Sequence, residues 1–247
     1  MNSRFFSLTF LLIGSLFSLN SYAQDRDTAP TVQTVLQQYI DAIGGSSAIS
    51  SVTDVRISGN GKAGNEKVNL SIKIKQPDKY FQEITTASGN KPMMKVIVIG
   101  DSININIFKN GKNEQVSQMQ RNILKARSQF CPEYGYLQPD HTEKLELLPE
   151  KELINGSVAN VITIATMEGI LFKNYYDAKT GLKVQSVLVS GQEEETPDVV
   201  TVYKDYRKVG NIRLPFYFEN STNGKAAFEA VLKKVSINSG ESDEEFK

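Results

Sequence analysis

Apolar and polar residues alternate in segment after segment of this chain, most clearly over residues 68–75, 102–107 and 212–219. Strict alternation places the apolar side chains on one face of an extended strand and the polar ones on the other. Turn-forming pairs such as Asn155-Gly156 separate most of these segments. The pattern predicts about ten antiparallel strands, in a strongly curved sheet with one wet face. Such a sheet is typical of an up-and-down barrel or a partly open barrel.

Two helices are predicted to cover this mainly β structure. Between residues 31 and 43, apolar side chains recur every three or four positions, as in an amphipathic helix, and the pattern stops at Gly44-Gly45. The same period returns between residues 114 and 129, and a predicted loop, 130–140, follows it. A helix inserted between strands either closes the mouth of a curved sheet or packs as ordinary core, and the sequence leaves both roles open.

The first 23 residues are typical of a secretory signal. Arg4 precedes an apolar run over 5–19, which is shorter than the ~20 residues of a membrane-spanning helix, and Ala23 completes a small-x-small cleavage pattern. We therefore expect a mature chain that begins at Gln24 and is exported to the periplasm. The residue after the cut is not a cysteine, and no later segment is long and apolar enough to span a bilayer. We expect a soluble product.

Composition favours one domain over residues 24–247, a size that all-β barrels reach with a single core. Basic and acidic residues number 28 each, and the lysines are scattered along the chain. Nucleic acid is therefore not an expected partner, because its phosphates demand a basic face. Cys131 is the only cysteine, so an internal disulfide and a cysteine metal cluster are both excluded, and we assign the thiol no role.

Motifs for catalysis or cofactors are weak. Residues 59–64 match the glycine fingerprint of dinucleotide-binding folds, but a strand pattern follows where a helix is needed, so we interpret them as a hairpin turn. His141, the only histidine, lies in a turn-like stretch, and no nucleophile elbow occurs. The acidic runs at 193–195 and 241–245 lack the pattern of a calcium loop. We predict no catalytic residue, no metal and no cofactor; an enzyme would need His141, Cys131 and carboxylates in one cleft.

Four short motifs, in this order along the chain, resemble segments of the outer-membrane lipoprotein-sorting family, the LolA/LolB-like superfamily. They are Tyr-Ile-Asp-Ala-Ile-Gly-Gly at 39–45, Asp-Ala-Lys-Thr-Gly-Leu at 177–182, the segment 205–215, and the terminal segment 235–246. The resemblance implies an incomplete antiparallel β-barrel, open on one side and covered by helices. It also implies an apolar concave face that receives the acyl chains of lipoproteins or other lipids. Without a lipobox cysteine, the chain is more similar to the soluble carrier than to the membrane-anchored acceptor.

The leading hypothesis is a non-enzymatic periplasmic carrier or chaperone that holds a lipid or an acylated lipoprotein in a hydrophobic cavity during transport. Its candidate lining residues lie on two strands and on the second helix: Val68, Leu70, Ile72, Ile74, Ile103, Ile105, Ile107, Met119, Ile123 and Leu124. Plain core packing explains the same side chains equally well. The alternative hypothesis is an envelope interaction or assembly module, with another envelope protein as partner, whose barrel is filled by its own side chains.

Overall fold

A computed structural model describes residues 29–109, 112–167, 169–189 and 198–247. The predicted signal segment and the acidic run at 193–195 lie outside the described residues. The described strands are β1 (Asp54–Ala63), β2 (Glu66–Lys75), β3 (Lys79–Thr86), β4 (Pro92–Ile99), β5 (Ser102–Lys109), β6 (Lys112–Glu114), β7 (Lys144–Leu147), β8 (Glu152–Ile154), β9 (Ser157–Ala165), β10 (Leu171–Asp177), β11 (Lys183–Val189), β12 (Val199–Val209), β13 (Ile212–Thr222) and β14 (Lys225–Ile237). The helices are α1 (Val32–Ile43), α2 (Ser46–Ser50), α3 (Gln118–Arg127), α4 (Pro132–Tyr136) and a C-terminal 3-10 helix (Asp243–Phe246).

These strands form one antiparallel sheet in which most neighbours are also consecutive in sequence. The exceptions are β14, which returns to pair with β1 in the middle of the sheet, and β7, which pairs with β9 at one edge. The order is β6-β5-β4-β3-β2-β1-β14-β13-β12-β11-β10-β9-β7, and β8 pairs with β9 outside this path. The sheet is open between its edges, β6 and β7, so the predicted incomplete antiparallel β-barrel is confirmed. The predicted number of strands was too low, because strands of three residues such as β6 and β8 are too short to show alternation.

Two glycines allow β1 to lie tightly against β14. A Cβ on Gly61 would lie 1.9 Å from the carbonyl oxygen of Glu229, and one on Gly59 would lie 2.6 Å from that of Val231. Both glycines belong to the stretch 59–64 that we interpreted as a hairpin turn, and for residues 59–63 that interpretation was wrong. The strand continues through Ala63, and the turn follows it. The glycines are explained by the close approach of two backbones, which is a known role of glycine within strands.

Helix α1 lies against one face of the sheet and confirms the first predicted helix. Its N-terminus is closed by a capping box between Thr31 and Thr34, which satisfies backbone donors that would otherwise be unpaired. Its buried residues are Val35, Leu36, Tyr39, Ile40 and Ile43. They share one core cluster with Val55 of β1 and Ile162 of β9. Because β1 and β9 are far apart in the sheet order, the sheet must curve around α1 to bring them to the same cluster.

The segment between the two sheet edges contains α3 and α4. Helix α3 is shorter than the predicted span of 114–129, and α4 lies inside the segment that we predicted as a loop. Pro132 begins α4, where its missing N–H costs nothing because the first helical N–H groups are unpaired anyway. None of the helices in the described part of the chain is long and apolar enough to cross a membrane.

The last nine residues, 239–247, which we call the C-terminal strap, run back over β1 to β4. The carboxylate of Asp54 accepts hydrogen bonds from the backbone N–H groups of Ser239 and Gly240. Lysines and arginine of the sheet form ion pairs with strap carboxylates: Arg56 with Glu241, Lys73 with Glu245, and both Lys75 and Lys79 with Asp243. Phe246, near the end of the strap, is completely buried.

Candidate functional site

The predicted lining residues of β2 and β5 lie on the face of the sheet that α1 covers. Cross-strand pairs run in a row from Ile103 through Val98, Tyr80 and Ile74 to Val55. Directly paired residues point to the same face of a sheet. Since Val55 packs in the α1 cluster, the whole row faces the inside of the curve. We call this side the concave face.

The ten predicted residues differ in how they are packed. Val68 and Leu70 are buried in a cluster with Phe216, and Ile105 is buried in another cluster with Tyr80. Partly buried around those clusters, or around the α1 cluster, are Ile72, Ile74, Ile103, Ile107, Ile123 and Leu124. Met119 is 49% exposed and belongs to none of the clusters. The structure therefore brings nine of the ten into or against apolar clusters, while contact with a ligand stays a prediction.

Helix α3 covers part of the concave face, but only loosely. It begins with a capping box between Ser117 and Gln120, and it has no buried residue. Ile123 packs against the α1 cluster and Leu124 against the β3–β5 cluster, so α3 bridges the two. The Arg121 guanidinium donates a hydrogen bond of 2.9 Å to the Ile103 carbonyl. Helix α1, in contrast, is fixed by five buried side chains.

A small cavity lies beneath the C-terminal end of α3. Its volume is ≈100 Å³, and its walls include Ile74, Tyr80, Val98, Ser128 and Phe130. Binding sites for small molecules usually measure about 300–1,000 Å³, so this cavity is too small for an acyl chain. A wider recess of ≈360 Å³ opens elsewhere, where β1, β2 and β14 come together, and lysines line part of it.

A buried ion pair joins α4 to the sheet. The Lys183 ammonium on β11 donates to Oε1 of Glu133 on α4 over 2.6 Å; the Glu133 side chain has no exposed surface, and that of Lys183 is 14% exposed. The Tyr176 hydroxyl donates to the same oxygen over 3.3 Å. Asn174 donates to Tyr176, and Ser186 donates to Asn174, which extends the network along β10 and β11. Polar groups in such a place must be paired, because burial without partners is costly.

The surroundings of Lys183 keep it charged. Burial by itself lowers the pKa of the ammonium, but the combined interactions with Glu133 and with Tyr203, Tyr176 and Tyr206 raise the pKa well above its usual value. The ammonium also lies 5.2 Å from the centre of the Tyr203 ring and 5.6 Å from that of Tyr39, distances that suit cation–π attraction. Oε2 of Glu133 is buried and has no hydrogen-bond partner among the described residues.

Sequence reasoning missed Glu133 and Lys183. Each is a single charge next to apolar or aromatic residues, Pro132 and Tyr134 for the glutamate and Leu182 and Val184 for the lysine. A single charge among apolar residues is only a weak sign of a buried ion pair, since most isolated charges lie on a solvent-exposed face. The two residues are 50 positions apart, and only the packing of α4 on the sheet brings them together.

The two side chains considered for catalysis, Cys131 and His141, lie in different environments. Burial raises the pKa of the Cys131 thiol to about 12, so at neutral pH it is a protonated, weak nucleophile. His141 lies in an exposed stretch, where its Nδ1 is 3.9 Å from a carboxylate oxygen of Glu143. Within the described residues, no group of three or more His, Cys, Asp and Glu side chains is arranged to hold a metal ion.

Solved structures with this fold come from several bacteria. A LolA superfamily protein from Nitrosomonas europaea is 12% identical with a TM-score of 0.56, and the match covers 89% of this chain and 98% of that one. A DUF1329 family protein from Desulfovibrio piger is 10% identical with a TM-score of 0.55, over 88% and 97%. A protein domain assigned to outer-membrane lipoprotein sorting, from Vibrio parahaemolyticus, is 8% identical with a TM-score of 0.55, over 87% and 95%.

Sequence comparison gives no further guide, since no protein-family model and no curated protein matches this chain. At identities of 8–12% the structural matches concern the fold. They extend over nearly the full length of each neighbour, and one of the three neighbours is named for lipoprotein sorting. The resemblance that the sequence motifs indicated is thus confirmed as a resemblance in architecture, and the chain shares the open, curved β fold of the LolA superfamily protein from Nitrosomonas europaea.

Proposed function

We propose that this protein is an exported, periplasmic carrier that holds the acyl chains of a lipid or a lipoprotein against its concave face, without catalysing a reaction. In this proposal residues 24–247 act as one domain. The observation that carries the proposal is the unequal packing of the two covering helices. Helix α1 is part of the core, whereas α3 rests on the same apolar face with no buried residue. Helix α3 is therefore the element that a ligand can displace.

The energies involved favour displacement by a long acyl chain. Full burial of an apolar side chain contributes about 1.5–3 kcal/mol, so the partly buried Ile123 and Leu124 hold α3 down by roughly 1–3 kcal/mol together. Each methylene of an acyl chain that leaves water contributes about 0.8 kcal/mol. About four methylenes offset the loss of α3 packing, and every further methylene adds net affinity. The cavity beneath α3 marks where the chain would enter.

The first test is native mass spectrometry of protein purified from the periplasm without detergent, followed by organic extraction. We expect adducts that extract as a lipid or as an acylated protein. In parallel, a fluorescent fatty acid should bind saturably. Ile74→Gln, in the cavity wall, should weaken this binding roughly tenfold, because about 1.4 kcal/mol of apolar contact is lost. Ile99→Gln is the matched control, since Ile99 is already 42% exposed and pairs with Lys79.

Equal affinity of the two variants would place the ligand away from the concave face and contradict the proposal. A bare mass together with no uptake of the fatty acid would favour the second candidate, an envelope interaction module with a self-filled barrel. The observation behind that second candidate is α1, whose five buried residues already occupy much of the space inside the curve. The two measurements thus distinguish a displaceable cover from a permanent filling.

A further inference from the structure

Arg127 is the last residue of α3, and it extends toward the concave interior. Residues three and four positions apart share one face of a helix, and Arg127 follows Leu124 and Ile123 at those spacings. Both of those residues pack against apolar clusters under α3, as Ala126 does. The guanidinium therefore leaves the helix on the side that faces the sheet.

The electrostatic partners of Arg127 place it inside the curve of the sheet. The guanidinium interacts with Tyr80 on β3 and with Tyr203 on β12. Five strand-to-strand steps separate β3 from β12, which amounts to about 24 Å along the sheet at about 4.8 Å per step. One side chain can be near both strands only where the two halves of the sheet curve toward each other. Arg127 thus lies between them.

No residue in the described part of the chain neutralises the charge of Arg127. The other cations of α3 are satisfied, because Arg121 donates to a carbonyl and Lys125 pairs with Asp101. Lys183, which shares Tyr203 as a neighbour, is neutralised by Glu133. Among the described residues Arg127 has no hydrogen bond and no ion pair, although burial lowers its pKa. The Arg127 side chain is nevertheless exposed to solvent, so a ligand can reach it.

We propose that Arg127 is the anchor for an anionic head group, a carboxylate or a phosphate, of a lipid whose chain lies along the concave face. This inference rests on the proposed carrier function and adds the class of ligand to it. A guanidinium can hold either anion through two parallel charge-assisted hydrogen bonds. Tyr203 interacts electrostatically with both Arg127 and Lys183. An anion here would also supply the charge that the interior lacks, since an unpaired cation that is partly removed from water is costly.

The test compares two ligands with the same chain, oleate and oleyl alcohol, by equilibrium dialysis at concentrations below self-association. We expect oleate to bind at least tenfold more tightly than the alcohol. Arg127→Gln should abolish that difference by weakening oleate alone, while Arg127→Lys keeps part of it. Arg213→Gln is the control that leaves both affinities unchanged, since Arg213 is exposed on β13 and follows Ile212 of the α1 cluster, so it lies on the opposite face of the sheet. Oleoyl lysophosphatidic acid should behave like oleate, and acetate or inorganic phosphate, which lack a chain, should not bind detectably.

The outcomes separate this inference from the function on which it rests. Equal binding of oleate and oleyl alcohol to the wild-type protein would leave the carrier standing and overturn the anchor. The anchor is also overturned if Arg127→Gln, with an unchanged circular dichroism spectrum, weakens both ligands equally. If neither oleate nor the alcohol binds at all, the carrier function itself is wrong, and the anchor falls with it.

Discussion

The interior pair Lys183–Glu133 and the C-terminal strap on the opposite side use the same ionic chemistry in contrasting surroundings. Inside, one carboxylate with no exposed surface meets one ammonium at 2.6 Å among tyrosine rings. Outside, Lys75 and Asp243 meet at a similar 2.7 Å, but their side chains are 33% and 60% exposed. Water and salt screen the outer pair and hardly reach the inner one. Equal distances therefore correspond to unequal energies.

This difference indicates how firmly the ion pairs attach α4 and the C-terminal strap to the sheet. Removal of one partner from a buried pair leaves a charge without compensation, so α4 is tied firmly to β11. Exposed pairs contribute about 0–1 kcal/mol each. The strap consequently depends on the burial of Phe246 and on its backbone hydrogen bonds to Asp54 at least as much as on its ion pairs.

The largest effect is expected from Lys183→Ala, which leaves Glu133 buried and unpaired. The free energy of unfolding should fall by about 3–5 kcal/mol, measured by urea denaturation with circular dichroism. The double variant Lys183→Met with Glu133→Gln removes both charges and should recover most of that loss. If the single and double variants are equally unstable, the packing of the two stems matters more than their charges, and the contrast with the strap disappears.

A smaller effect is expected from Phe246→Ala. Loss of one buried aromatic side chain should lower the free energy of strap docking by about 2 kcal/mol. Because the strap can detach alone, the result should be faster digestion of the C-terminus by a carboxypeptidase and little change in the unfolding of the sheet. Glu244→Ala is the control, since Glu244 is exposed and its ion pair is with Lys247, within the strap itself. Unchanged digestion of the Phe246 variant would show that the ion pairs hold the strap by themselves.

The smallest effect is a pH dependence of strap docking. Hydrogen bonds from Lys75 and Lys79 lower the pKa of Asp243 to about 2, and the hydrogen bond from Arg56 lowers that of Glu241. Both carboxylates titrate near pH 4 when the strap is free. Their contribution is therefore complete above about pH 4 and is lost as the pH falls toward 2.

This pH dependence can be followed with Phe246→Trp, because the chain has no tryptophan of its own. The emission should shift to longer wavelength as the pH falls and the strap leaves the sheet. Asp243→Asn should make the transition shallower, since one titrating group is missing. A strap that leaves when the pH rises from 4 to 7 would have the opposite sign and would contradict the ion-pair account.

Much of the local structure could be predicted from the sequence. The alternation over 68–74 and 212–218 became β2 and β13, and the helical period over 31–43 became α1. Short or irregular elements escaped, because three residues carry no period and because Pro132 in an aromatic stretch is as typical of a loop as of a helix start. Residues 59–63 were wrongly predicted as a turn, since a glycine in a strand and a glycine in a turn look alike in sequence.

For the candidate site, the sequence predicted apolar side chains and missed the charged ones. Nine of the ten predicted residues lie in or against apolar clusters, because a residue such as Val68 must be buried wherever its strand lies. Arg127 and the Lys183–Glu133 pair could not be found in this way. Most charged residues lie on a solvent-exposed face, so a charge in the sequence predicts exposure. Whether a particular charge is buried instead depends on partners that are distant in the sequence.

By itself, the sequence determined which residues form strands and helices and which side of each is apolar, because those properties depend on neighbours within a few positions. Only the tertiary structure decided that β14 returns to β1, that α1 lies inside the curve, and that Lys183 meets Glu133. A repeating apolar pattern predicts that one face of a strand or helix is buried, but it does not show which element packs against that face. The packing of the whole chain decides this, because it brings together side chains that fit in shape and charge although 50 to 185 residues separate them in the sequence.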